Sequence, residues 1–380
     1  MWYNIGMAIR SIKPDVNKTI FSWAISRAGF TVDDALKFYP KLTKWESGEL
    51  YATVKQLKDF SNKFHFPFGY FFLNTIPEDY VSIPLFRSLK ENAAYEDFNI
   101  RETIKILSER QSWTSDYLKT NGTDINKCVG LYKNKSDILK IKDGILNSLN
   151  LKDGWQFSFN SPEQTIKFLV SLLENENIFV TFNSVVNFDN HRPIPVKLCR
   201  GFCLVDNYAP FIYVNSNDSK KAQLFTLIHE LAHIFISFSS GYGDFGIDEI
   251  ENKKEKLCDK IAAEFLVPKD LFIKEAINKS NEELSALFKV SEIVILRRKL
   301  DCGLITRNSF FTQYDQLPKF HKSNSSGGNF YYSAPNKIGG KLLQCLHNAM
   351  MERKITPMEA YHLAGVKGDT FAKLTAGVIS

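Results

Sequence analysis

The sequence predicts an α+β protein: a helical amino-terminal domain of helix-turn-helix type, a central domain in which a small mixed sheet stands beside a long apolar helix, and a helical carboxy-terminal region. Three observations lead there. Apolar Ile20, Trp23, Ala24, Leu36, Leu42, Trp45, Leu57 and Phe60 recur at helical intervals near the amino terminus. Three short runs in the middle of the chain are rich in β-branched and aromatic residues and bounded by Asn, Asp, Gly and Pro, as strands are. Helical spacing returns after them, from SKKAQLFTLIHELAHIFISF onward.

The amino-terminal helices are NKTIFSWAISRAG, TVDDALKF, PKLTKWESG and TVKQLKDFSNKF. Gly29 and Gly48 stand where helices end, Pro40 opens one, and Thr31 with Asp34 forms a capping box with Asp in place of Glu. A Pro-containing linker, PEDYVSIPLFRS, precedes the helical IRETIKILSERQSWTSDYLK. The strands are NIFVTFNSVV, RGFCLV and APFIYVN, and the last runs almost directly into the long apolar helix. Further on, NEELSALFKVSEIVILRRKLDCGLI reads as a short helix, a turn and a longer helix, again of helix-turn-helix type. The polar HKSNSSGGN has the composition of a flexible surface loop, and helix follows it. The domains are therefore expected at residues 1–76, 77–170 (linker and helical region), 171–315 (the sheet and long helix, with the second helix-turn-helix-like segment) and 316–380 (loop and helical tail).

The 380 residues, 44% hydrophobic and 24% charged, suit a globular protein of two or more domains, and exclude a disordered or collagen-like chain. A formal charge of +6 is dispersed among acidic residues, which permits nucleic-acid contact without demanding it. No signal-peptide h-region and no run of 18 apolar residues is present, so no membrane association and a cytoplasmic location are expected. Six cysteines without a CxxC are read there as core thiols.

The residues that carry chemistry are His229-Glu230-Leu231-Ala232-His233. On a helix, side chains four apart share a face, so His229 and His233 can hold one metal ion, Zn2+ above all. Glu230 projects where it can serve as general base toward a water at that ion. With seven histidines in the chain, a chance HExxH is expected on the order of 0.01 times. The competing reading is a core helix with two hydrogen-bonded histidines.

A third ligand is needed, and the helix EKLCDKIAAEFLVP supplies carboxylates. Its apolar Leu257, Ile261, Phe265 and Leu266 face inward, while Glu255 and Asp259, one turn apart, share another side. Glu255 is assigned as ligand and Asp259 as the carboxylate that orients a ligating imidazole. Glu251 and Glu264 are the rival ligands. The strand APFIYVN is expected to place a sheet edge beside the metal, where an extended peptide can add by backbone hydrogen bonds. Tyr213, Tyr242 and His191 are candidate oxyanion stabilisers, with buried packing as the alternative for the tyrosines.

At these motifs the sequence resembles the ImmA/IrrE family of metallo-endopeptidases, in the long form with an XRE-like helix-turn-helix in front. The resemblance runs through WAISRAGFTVDDALKFYPKLTKWESGE, FPFGYFFL, IPLFRS, RGFCLVDNYAPFIYVN, AQLFTLIHELAHIF, EKLCDKIAAEFLVP, FKVSEIVILRRKLDCGLI and GVKGDTF. It implies a zincin-like site with His229, His233 and Glu255 as zinc ligands and Glu230 as base. It also implies cleavage of a regulatory protein such as a helix-turn-helix repressor, or a place beside a toxin gene as an antitoxin-like partner. Cys258-Asp259 stands where the family usually has Ala-Asn, and Ile261 where it has Phe. The second reading is a DNA-binding transcriptional regulator or antitoxin of a toxin–antitoxin or phage element, its peptidase domain used for sensing or partner binding. Lys41, Thr43 and Lys44 are its candidate DNA-recognition residues, opposed by Asp33 and Asp34.

Overall fold

Two short helices near the amino terminus owe their start to a threonine. In the computed structural model, which describes residues 14–76, 94–237, 241–242, 249–317 and 330–379, Thr31 opens α2 (Val32–Phe38) and Thr53 opens α4 (Val54–Lys63), following α1 (Thr19–Arg27) and α3 (Leu42–Ser47) respectively. Each threonine accepts a hydrogen bond from the backbone N–H three residues on, and the Asp34 or Gln56 side-chain oxygen accepts one from the cap's own N–H, so two orphan donors are satisfied at once. Gly48 ends α3 with φ +78°, a left-handed conformation that a residue with a Cβ adopts only under strain. The helices close on an aromatic core: Phe21 meets Phe60 edge-on at 5.0 Å and Phe60 meets Phe64 at 4.5 Å. A 3-10 turn, Phe68–Phe72, adds the buried Phe71.

The chain divides into two units. One holds this bundle together with residues up to Asn99; the other holds the described residues from Ile100 on, the boundary falling within α5 (Ala94–Thr120). The expected linker at 77–88 and the Ser- and Gly-rich loop at 321–329 lie outside the described residues.

The second unit runs α6 (Ile138–Ser148), α7 (Pro162–Asn175), β1 (Phe179–Asn183), β2 (Val185–Val186), β3 (Asp189–Pro193), β4 (Gly201–Leu204), β5 (Phe211–Asn215) and α8 (Lys220–Phe235). Then come β6 (Gly241–Tyr242), α9 (Glu249–Leu266), α10 (Lys269–Ala276), α11 (Asn281–Phe288), α12 (Glu292–Asp301) and α13 (Arg307–Gln316). The last helices are α14 (Phe330–Ile338), α15 (Gly340–Met351), α16 (Pro357–Ala364) and α17 (Gly368–Ile379). Helices dominate and the sheet is small and mixed, so the fold is α+β.

The sheet has the order β1-β5-β4-β6, with β1 parallel to β5 and the other pairs antiparallel; β2 and β3 form a separate hairpin. Every residue of β4 and β5 is buried, which is why both read as continuous apolar runs. This arrangement corrects one expectation. β5 is flanked on both sides, by β1 and β4, so Phe211–Asn215 offers no free edge beside the long helix. The run that begins at Phe179 takes up that flank instead, register-matched from Phe179↔Phe211 to Asn183↔Asn215.

The core gathers Cys203, Ile212 and Val214 of the sheet, Leu224, Leu227, Ile228 and Leu231 of α8, and Ile261, Ala262 and Phe265 of α9. The carboxy-terminal helices are built into this unit: α14 and α15 pack on β1, and Arg110 of α5 donates to the carbonyls of Leu363 (2.7 Å) and Ala364 (3.3 Å), closing the end of α16. Burial lowers the Arg110 guanidinium to about 10. Among the described residues no helix is long and apolar enough to cross a membrane.

Two contacts fix α9 and β4, the elements nearest the site. Glu264 pairs with the buried Arg298 of α12 and accepts the backbone N–H of Lys269 at 3.0 Å. Glu264→Ala leaves that guanidinium unpaired, and should lower the unfolding free energy by about 3 kcal/mol in a urea titration; a change under about 1 kcal/mol would show the pair to be incidental. At Gly201 an added Cβ would stand 2.5 Å from Thr226 Cγ2 and 2.8 Å from the Tyr213 carbonyl. Gly201→Ala should therefore cost about 1–3 kcal/mol by the same titration, and an unchanged midpoint would mean that β4 and α8 are free to part.

Candidate metal centre

Helix α8 leaves the sheet directly. Ser219 caps it by accepting the Ala222 N–H, and from Thr226 to Phe235 every residue is buried. A helix apolar all round belongs in a core. Three ionisable side chains nevertheless sit in that stretch, and His229, Glu230 and His233 are each 0% exposed. Water does not solvate them, so their partners must come from the protein.

Those partners come from α9, whose Ile261, Phe265 and Leu266 are buried as expected. Glu255 reaches His229 Nε2 with one oxygen at 3.0 Å and His233 Nε2 with the other at 3.3 Å. The two Nε2 atoms lie 3.1 Å apart. One turn along α9, Asp259 Oδ1 lies 3.0 Å from the other ring nitrogen of His229, Nδ1. The structure thus brings together His229, Glu230, His233, Glu255 and Asp259. It turns Glu264 to Arg298 instead, and the side chain of Glu251 lies outside the described residues.

The donor set fits a metal ion. Among the described residues one group of at least three potential ligands converges, His229, His233 and Glu255, with ligand atoms all within 4.8 Å of one another. The nearest separations of 3.0, 3.1 and 3.3 Å approach the edge of a tetrahedron whose metal–ligand bonds are about 2.0–2.1 Å, roughly 3.3 Å. Two ring nitrogens facing each other and one carboxylate leave protons badly placed, since both imidazoles cannot point an N–H along that line. A cation between them satisfies all three.

The electrostatics agree. Burial works against the His229 imidazolium, but Asp259 and Glu255 on its two nitrogens outweigh it and raise the group to about 10. Burial likewise opposes the Glu255 carboxylate, yet His229 and His233 hold it down at about 2. His233 is lowered by burial in spite of Glu255. Glu255 thus keeps its negative charge beside both rings.

Glu230 is different. Both its oxygens are buried, and the hydrogen bond it receives comes from the Cys203 thiol, a weak donor. Burial pushes its carboxyl up to about 8 against the pull of His229, with Glu255 adding to the rise. The nearby thiols belong to the core: Cys203 acts weakly on Glu230, while burial holds Cys199 and Cys258 protonated. No disulfide joins any of the six cysteines.

Of the three candidate oxyanion stabilisers, Tyr213 is buried, donates its hydroxyl to the Asn183 carbonyl at 2.7 Å and stacks on Phe202 at 4.8 Å. Its hydroxyl is committed to holding β1 to β5. His191 is exposed on the β2–β3 hairpin, and the Tyr242 side chain lies outside the described residues. One residue near the site escaped the sequence reading. Gly201 passes so close to Glu230 that a Cβ there would sit 3.4 Å from Oε1. Only the pairing of β4 with β5 and the packing of α8 across them create that contact, and no local pattern signals it.

Residues 174–299 match the family model Peptidase_M78, described as the IrrE N-terminal-like domain. The match spans about a third of the chain, from the end of α7 into α12, and includes the sheet and both helices of the cluster. No curated protein matches the chain, and no solved structure does. For this segment the family match supports a peptidase of the ImmA/IrrE metallopeptidase kind.

Proposed function

We propose that the chain is a zinc-dependent endopeptidase that cuts a regulatory protein, such as a helix-turn-helix repressor. The observation that carries this reading is the convergence of two imidazoles and a carboxylate beside a second carboxylate, Glu230, that is fully buried next to the weakly donating Cys203 thiol. A structural zinc site closes all its positions with protein ligands, whereas three ligands and an adjacent free base are the pattern of hydrolysis.

His229, His233 and Glu255 would hold the zinc. Bound there, zinc would polarise a peptide carbonyl and make water nucleophilic near neutral pH. Glu230 takes the proton from the attacking water and passes it to the leaving amine; its raised carboxyl suits both halves of that exchange near neutral pH. Asp259, beside Nδ1 of His229, fixes the tautomer that leaves the Nε2 lone pair facing the cluster.

The amino-terminal unit is read as an XRE-like helix-turn-helix, α2 and α3 joined by the turn at Tyr39–Lys41. Lys41, Thr43 and Lys44 are exposed there. Asp34 is neutralised by Lys37 at 2.8 Å, which leaves Asp33 as the acidic residue of α2 that would oppose a phosphate. A bound partner of helix-turn-helix type, encoded beside this chain, is the substrate the reading favours.

Two substitutions test it. Glu230→Gln removes the base and spares the ligands, so it should keep its zinc and lose cleavage of co-expressed neighbour proteins by about 10²–10⁴-fold. If wild type and variant both bind zinc, neither cuts, and both bind operator DNA equally, the chain is a regulator. Asp259→Asn should weaken zinc affinity by about 10–100-fold in competition with a chelating dye. Unchanged affinity would show that Asp259 does not orient His229.

A further inference from the structure

A second cavity lies apart from the metal cluster. It encloses about 480 Å³, within the size range of small-molecule sites, roughly 300–1,000 Å³. One stripe of α7 forms a wall, one face of β1 the floor, and α14 with the first turn of α8 closes the sides.

Its interior is apolar where Ile166 and Val170 of α7 face Val180 and Phe182 of β1. Its rim carries three lysines from three elements: Lys167 of α7, Lys220 of α8 and Lys337 of α14. Among the described residues none of the three forms an ion pair. Lys220 donates to the Gln223 amide oxygen at 3.1 Å, and Lys337 stands 5.7 Å over the Phe188 ring. Two acidic residues also line the cavity. Glu174 is taken up by the start of α15, accepting the Lys341 backbone N–H at 3.0 Å, and Glu163 acts on Lys220 only from beyond ion-pair distance. Lys167 and Lys220 are exposed and Lys337 is half-buried; burial lowers Lys337, and lowers Lys220 against the pull of Glu163.

We infer that this cavity binds a small organic anion, with an apolar body against Ile166, Val170, Val180 and Phe182 and a carboxylate or phosphate among Lys167, Lys220 and Lys337. Lys220 belongs to the first turn of the helix that carries His229 and His233, so an occupant grips the element on which the metal cluster is built. The inference does not depend on the peptidase reading.

The test uses the full chain and two dyes of matched shape, anionic 8-anilinonaphthalene-1-sulfonate and its uncharged counterpart N-phenyl-1-naphthylamine. The anionic dye should bind saturably at one site, at least tenfold more tightly than the neutral one. Lys337→Glu should weaken it at least tenfold and leave the neutral dye unmoved. Lys337→Gln, which adds no like charge beside Glu174, should show a smaller loss in the same direction and covers the case in which the reversal fails to fold. Equal affinity for the two dyes, no saturable binding, or indifference to both substitutions would overturn the inference, leaving the lysines as stems laid along an apolar surface with their heads in water.

Discussion

The burial of α8 is the constraint on which the rest depends. A helix sealed on every side from Thr226 to Phe235 carries two imidazoles and a carboxylate into a region without water, where an isolated charge costs several kcal/mol. The protein answers with a second helix. Glu255 faces both Nε2 atoms and Asp259 stands beside the far side of His229, so the charged groups are held by one another. A divalent cation completes this balance: with neutral imidazoles, its two charges offset Glu255 and Asp259. Glu230, beside the weakly donating Cys203 thiol, keeps a carboxyl that burial raises to about 8.

Holding two helices in that relation takes the whole domain. Helix α9 shows one side to α8 and another to α12, where Glu264 and Arg298 pair. Its apolar residues fill the space between, and α6 packs on it from outside. Strand β4 can run beneath Glu230 only because position 201 has no side chain. Tyr213, far from being free for catalysis, ties β5 to the end of β1. The neighbours of the site are buried, while the cavity at the other end of α8 is lined by three lysines that form no ion pair among the described residues.

What could be read from the sequence follows the range of the interactions. The i, i+4 spacing of His229 and His233, and that of Glu255 and Asp259, are helical facts, and the structure brings these four side chains together. The capping boxes at Thr31 and Thr53 are equally local. Strand existence was legible in the runs at Phe179, Gly201 and Phe211, but strand order was not, because β1 reaches β5 across the intervening hairpin and β4. The supposed free edge at Phe211–Asn215 failed for that reason. The two-residue β6 and the polar β3 carry too little pattern to be seen. Glu264 and Glu255 look alike in sequence; the position of Arg298, a whole helix pair away, separates them.

The most direct test is X-ray absorption spectroscopy of the zinc-loaded full chain, with metal content determined on the same sample. The account predicts about one zinc per chain, bound by two imidazole nitrogens and oxygen donors, with no sulfur in its coordination sphere. A zinc bound by sulfur, from Cys203 or Cys258, or a chain that retains no metal, would contradict it.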